Sequence, residues 1–203
     1  SAIAPPSDFD EEVARAEIYG LLAQLFYAPA SPDLLAALRQ AEPRAPDAGS
    51  FLEAPWQDLQ REAQAMGDAA IAAEYDALFG GMGKPEVYLF GSHYLTGFLN
   101  EKPLVGLRND LQALGLARGA SVSETEDHIA FLCEVMRYLI AGEDAGVSNL
   151  TRQREFFGTH IQPWVHDMGE AIAAHPAARF YARAAAFLQA FANVEAQGFD
   201  MLG

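Results

Sequence analysis

The sequence predicts an all-α fold, a single-domain helical bundle of roughly eight to ten helices across residues 1–203. Three observations predict it. Apolar residues in each long segment recur at intervals of three and four rather than two. Hydroxyl and amide residues stand where helices would begin, and Gly or Pro where they would end. No alternation of apolar and polar residues is long enough for a strand of a sheet. Core material is ample: the chain is 51% hydrophobic, with 13 Phe, 7 Tyr and 2 Trp. A domain of this length buries roughly 70% of the surface its unfolded chain exposes, so no disulfide or metal is needed to hold it.

The elements follow in order. Residues 1–7 lack a basic start followed by an apolar run, so they read as a disordered tail or foreign remnant, not a secretory signal. Ser7-Asp8 opens a first helix, with Val13, Leu22, Leu25 and Phe26 as its apolar face, and Pro29 stops it. Ser31-Pro32 opens a second, with Ser at the cap and Pro in the first turn. A loop by composition, Glu42-Pro43-Arg44-Ala45-Pro46, ends it. A third helix is expected over Trp56–Met66 and a fourth over Ala69–Phe79, closing on Gly80-Gly81. Residues 80–103 are rich in Gly, Pro and aromatics, and a connection of that length in a compact domain is often functional. Helical pattern resumes over Leu104–Leu116. Ser123-Glu124-Thr125-Glu126 then has the form of a capping box, predicting a helix from Ser123 whose core face is Ile129, Leu132, Met136 and Leu139. One more helix is expected from Asn149 to about His160, interrupted by Pro163, and a last from about Pro176 to Gly198.

Charge and composition exclude several classes. The net charge of −15 disfavours nucleic acid, whose phosphates would be repelled. It suits solubility, and equally a surface that attracts a basic segment. No stretch approaches the ~20 apolar residues of a membrane span, so a cytoplasmic protein without stable membrane insertion is expected. Cys133 lies in an apolar run and reads as a small core residue, since a reactive thiol needs an electropositive setting.

Chemistry-bearing residues are few. His93, His128, His160, His166 and His175 show no metal-ligand spacing, and there is no Cys-x-x-Cys. No metal and no cofactor are expected. Gly80-Gly81-Met82-Gly83-Lys84 lacks the following hydroxyl residue and the preceding strand of a phosphate loop. Asp127 and His128, read as a helix-borne exposed acid beside a half-buried histidine, admit three roles. They are a capped helix start with a packed histidine, a peptide-contacting pair, or the acid/base pair of a small enzyme. Phe156-Phe157 through His160 to Pro163-Trp164 reads as packing around a kinked helix. A plain helical scaffold is a further alternative.

Four segments, in this order, resemble the TorD/DmsD/NarJ family of molybdoenzyme maturation chaperones. Glu74-Tyr75-Asp76-Ala77-Leu78-Phe79 is similar to its Tyr-x-x-Leu-Phe helix end. Pro85 through Tyr94-Leu95-Thr96-Gly97 resembles its aromatic loop. Glu124-Thr125-Glu126-Asp127-His128 resembles its Glu-Pro-x-Asp-His signature, with Thr125 in place of the proline. Gln153-x-x-Phe156-Phe157-x-x-His160-x-x-Pro163-Trp164 resembles its C-terminal segment. The resemblance implies an all-α chaperone, not an enzyme, found as a monomer or a domain-swapped homodimer. It would bind the twin-arginine signal peptide, or another segment, of a molybdopterin oxidoreductase precursor, assist cofactor insertion and delay export. Leu78, Phe79, Tyr88, Tyr94, Glu124, Asp127 and His128 are the peptide-binding residues it implies. The apolar members would take the leader's hydrophobic middle, and the acids its arginines.

Overall fold

Helix α1, Asp8–Tyr27, opens the described chain. The computed structural model describes residues 8–42, 50–80, 83–96, 101–116 and 127–203. Ser31 caps α2, Pro32–Gln40, its hydroxyl accepting from Leu34 N at 3.1 Å, with Pro32 in the first turn as expected. A 3₁₀ turn, Ser50–Leu52, leads into α3, Glu53–Ala65. Helix α4, Asp68–Phe79, stops at Gly80.

The glycine-rich connection is more ordered than its composition suggests. It contains a short helix α5, Gly91–Thr96, and its last residues already belong to α6, Glu101–Ala113. Pro103 fits there because it lies in the first turn, where a missing N–H costs nothing. Helices α7, Ile129–Ala141, α8, Leu150–His160, α9, Val165–Ala174, and α10, Phe180–Asp200, complete the fold. Asn149 caps α8 by accepting from Arg152 N at 3.0 Å. The break at Pro163 separates α8 from α9, which the sequence reading had not assigned as an element of its own. Among the described residues the only β-type pairing is an isolated bridge between Phe90 and His128.

One expectation is corrected. The helix predicted from Ser123 begins instead at Ile129, with His128 as its cap. The Ser123–Glu126 box itself lies outside the described residues. The bridge to Phe90 requires extended backbone at His128, and φ −62°, ψ 135° are what it has. A helix continuous through His128 cannot supply that conformation, so the described helix starts at Ile129.

Helix α1 packs along α7, while α10 packs against α9 and α3. Leu22, Leu25 and Phe26 of α1 and Ile129, Leu132, Met136 and Leu139 of α7 are fully buried. A part-buried ion pair adjoins this core. The Arg15 guanidinium donates to both Glu195 oxygens at 2.9 Å and to Gln153 Oε1 at 3.0 Å. Gln153 Nε2 in turn donates to the Leu139 carbonyl at 2.9 Å. Four helices, α1, α7, α8 and α10, are thereby tied by one polar chain whose geometry is bidentate and hence directional. The Cys133 thiol is buried, and burial pushes its pKa up, which makes it the inert core residue expected.

Candidate functional site

The segment after α4 is held to the bundle by its backbone. Val87 N donates to the Leu78 carbonyl at 2.9 Å, Ile129 N to Leu89 O at 2.9 Å, and Gly91 N to Asp127 O at 3.1 Å. These bonds lay residues 87–91 between the end of α4 and the start of α7. The side chains of the segment then form one aromatic group. Tyr88 stacks on His93, with ring centroids 4.1 Å apart. Tyr94 donates its hydroxyl to the Tyr88 carbonyl at 2.7 Å and lies parallel to Trp164, centroids 5.7 Å apart. Phe90 meets His128 edge to face at 5.1 Å. Burial, reinforced by Asp167, pushes the Tyr94 phenol up to about 12, so it stays a donor through neutral pH.

Gly91 is the hinge of this packing. A Cβ there would stand 2.8 Å from the Trp164 ring, so only glycine lets the segment close on α9. Trp164 is fixed in turn by its indole N–H, which donates to the His160 carbonyl at 2.6 Å.

Asp127 is buried, not the exposed rim charge expected of it. It does not lie on a helix face, where exposure had been assumed. Its Oδ2 accepts from Ser92 N at 2.6 Å. Its Oδ1, and the neighbouring Ser92 hydroxyl, have no hydrogen-bond partner among the described residues although both are buried. His128 is buried too, and its Nδ1 accepts from Ala130 N at 3.0 Å. The two side chains thus each engage a backbone N–H, which is not the arrangement of an acid/base pair.

The structure divides the expected residues. Tyr88, Tyr94, Asp127 and His128 come together with Phe90, Ser92, His93 and Trp164. Leu78 is fully buried and joins this group only through its carbonyl. Phe79 is half-buried and its ring belongs elsewhere, edge-on to Tyr75 at 5.0 Å and Tyr181 at 5.5 Å. Glu124 lies outside the described residues. Sequence reasoning missed His93, Phe90 and Ser92, and placed Trp164 only in a packing role. The signal that existed was Gly91 inside an aromatic run, which marks a close backbone approach.

The other motif residues prove to be framework. Both Glu74 oxygens are taken by the first N–H groups of α10, from Arg179 at 2.5 Å, Phe180 at 3.0 Å and Tyr181 at 2.9 Å. Arg179, the residue before α10, makes no side-chain cap of its own, so α4 caps α10 in trans. His160 Nε2 lies 2.6 Å from Asp110 Oδ2, pinning α6 to α8. No group of His, Cys, Asp and Glu among the described residues could hold a metal ion. No described helix is long and apolar enough to cross a membrane.

An aromatic segment held to a buried carboxylate by Ser92 N is an arrangement suited to binding. Comparison with known proteins makes this specific. Residues 46–170 match the nitrate reductase delta subunit family. The TorD chaperone proteins of the El Tor Inaba and Classical Ogawa strains of Vibrio cholerae serotype O1 are each 28% identical over 209 residues, covering 93% of both chains. The chain belongs to the nitrate reductase delta subunit family, the TorD/NarJ group of molybdoenzyme maturation chaperones. It is a chaperone and not an enzyme.

Proposed function

We propose that this chaperone acts in the cytoplasm on the precursor of a molybdopterin oxidoreductase. It holds the twin-arginine leader, or another segment of the client, while cofactor is inserted, and so delays export. One observation carries the reading: a buried carboxylate oxygen, Asp127 Oδ1, unpartnered among the described residues, on a carboxylate whose other oxygen is held by Ser92 N of the aromatic segment. A buried acceptor left unsatisfied costs about 1–3 kcal/mol, which an incoming guanidinium would recover as a charge-assisted bond. The aromatic rings offer apolar area for the leader's hydrophobic middle. Glu124 would add a second carboxylate, three residues before Asp127. Leu78 and Phe79 act indirectly, Leu78 by accepting from Val87 N and Phe79 by packing on Tyr75 and Tyr181 at the end of α4.

The test is leader-peptide affinity by calorimetry, at low and high salt. The peptide is the twin-arginine leader of a molybdopterin oxidoreductase. Tyr88→Ala is expected to weaken binding at every salt concentration. Asp127→Asn is expected to weaken it about tenfold at low and high salt alike, since a buried charge pair is screened little. If both variants, shown folded by circular dichroism, bind like the parent, the site lies elsewhere.

A further inference from the structure

Ser92, the second residue of α5, is fully buried, and both of its backbone groups are engaged. Its N–H donates to Asp127 Oδ2 at 2.6 Å, and its carbonyl accepts from the Thr96 hydroxyl at 2.7 Å. Its own hydroxyl has no partner among the described residues. Nothing in α5 asks for a hydroxyl there. A serine near a helix start ordinarily caps a backbone N–H, and one further along bonds back to a carbonyl a turn earlier. Ser92 does neither, since either bond would be a partner. Alanine would keep both backbone bonds and leave no buried polar atom unpaired at this position.

The spare hydroxyl has a counterpart. Asp127 Oδ1 is buried and equally without a partner among the described residues. The bond from Ser92 N to Asp127 Oδ2 joins the two residues, so one hydrogen bond and two short side chains separate the spare atoms. One is a charged acceptor. The other is a hydroxyl, which also accepts. A group that brings positive charge and more than one N–H satisfies both at once.

We propose that Ser92 is the residue that makes the Asp127 site take arginine in preference to lysine. A guanidinium holds its N–H groups in a planar fork, so one goes to Asp127 Oδ1 and another to Ser92 Oγ. It is also more weakly hydrated than an ammonium, so it gives up less on entering a buried site. A lysine reaches Oδ1 as a compact point charge and loses its hydration whether or not the hydroxyl is present. Without the hydroxyl, a bound guanidinium is left with a buried N–H unpaired and its advantage disappears. Since both acceptor atoms are buried, α5 must give way for entry, and the bonds of Gly91 N and Ser92 N to Asp127 are what hold its start. Ser92 has this role only where the leader's arginines reach Asp127, the reading proposed above.

The experiment uses the full chain and two leader peptides that differ only in carrying Arg-Arg or Lys-Lys at the twin positions. Calorimetry gives the affinity of each peptide for the parent, Ser92→Ala, Ser92→Cys and Asp127→Asn, and urea unfolding gives their stability. The parent is expected to favour the arginine peptide by about tenfold, the worth of one hydrogen bond to a charged group. In Ser92→Ala that preference should vanish, because the arginine peptide alone loses affinity. Stability should hold or rise, as alanine removes an unpaired buried hydroxyl. Ser92→Cys keeps a side chain of similar shape with only a weak acceptor, and should lose the preference too. A parent that binds both peptides equally, or a preference unchanged in Ser92→Ala, would overturn the proposal. So would both peptides weakening alike together with a lowered urea midpoint, which is the signature of a framework hydroxyl. Asp127→Asn separates the two levels of the reading. If it loses affinity for the arginine peptide while the Ser92 variants keep the parent's preference, the leader site stands and the role of Ser92 falls. If it binds the arginine peptide as the parent does, the leader site falls and the role of Ser92 with it.

Discussion

Two buried carboxylates, one where α4 meets α10 and one where the aromatic segment meets α7, are used in opposite ways. Glu74 is 6% exposed and Asp127 5% exposed, so solvent satisfies neither. Glu74 gives both oxygens to three backbone donors of α10. Around it the packing is closed: Tyr75 donates to the Phe26 carbonyl at 2.7 Å, and Ala30 N donates to the Tyr181 hydroxyl at 3.1 Å. Asp127 gives one oxygen to Ser92 N and keeps the other unpartnered among the described residues. Two acids with nearly equal burial thus carry different meanings. A carboxylate with both oxygens engaged is framework, while one with a buried oxygen to spare is poised for a donor from outside.

That contrast can be broken by measurement. The largest effect is expected from Glu74→Ala, which strips the first turn of α10 of its acceptors and leaves buried N–H groups behind. It should lower unfolding stability by about 3 kcal/mol or more, read as a fall in the urea midpoint. If the midpoint hardly moves, water replaces the carboxylate and the framework reading of Glu74 is wrong.

Gly91→Ala should come next. The added methyl meets the Trp164 ring, and overpacking of this kind costs about 1–3 kcal/mol. Because the strain falls on the aromatic segment, leader affinity should drop together with stability. An unchanged melting curve with unchanged affinity would show that the segment can shift away from α9 at no cost.

Asp127→Asn is the sharpest comparison with Glu74. Asparagine can still accept from Ser92 N, so stability should change by less than about 1 kcal/mol. The effect belongs instead in leader affinity. Should this variant unfold as readily as Glu74→Ala, the two carboxylates are equivalent supports and the spare oxygen has no binding role.

The smallest effect concerns Cys133. Its thiol is buried and its pKa raised, so a thiol reagent at pH 8 should leave the native chain unmodified and label it only after denaturant is added. Rapid labelling of native protein would mean that the α1–α7 core opens more easily than its packing implies.

Local chemistry made much of the bundle legible. Ser31 and Asn149 cap their helices by reaching N–H groups three residues ahead, and Pro32 and Gly80 stand at boundaries for backbone reasons that any context would preserve. The apolar face of α7 and Leu22, Leu25 and Phe26 of α1 follow from spacing, as does the inert environment of Cys133, but Val13, assigned to the same α1 face, is 42% exposed. Along the aromatic segment, composition pointed to the right place but not to its construction, because α5 is too short to show a period.

What the tertiary structure alone decided is where distant groups share one backbone. The start of α7 moved from Ser123 to Ile129 because Phe90 pairs with His128, across 38 positions of sequence. The Glu74 cap joins residues more than a hundred positions apart, so no window along the chain could reveal it. Asp127 looked exposed on a helical wheel and is buried because Ser92 N reaches it from another element. Capping and periodicity are written within a few residues and hold wherever no tertiary pairing demands another backbone conformation, as it does at His128. Burial and hydrogen-bond partnership are properties of the pair, and the second member is chosen only when the chain closes on itself.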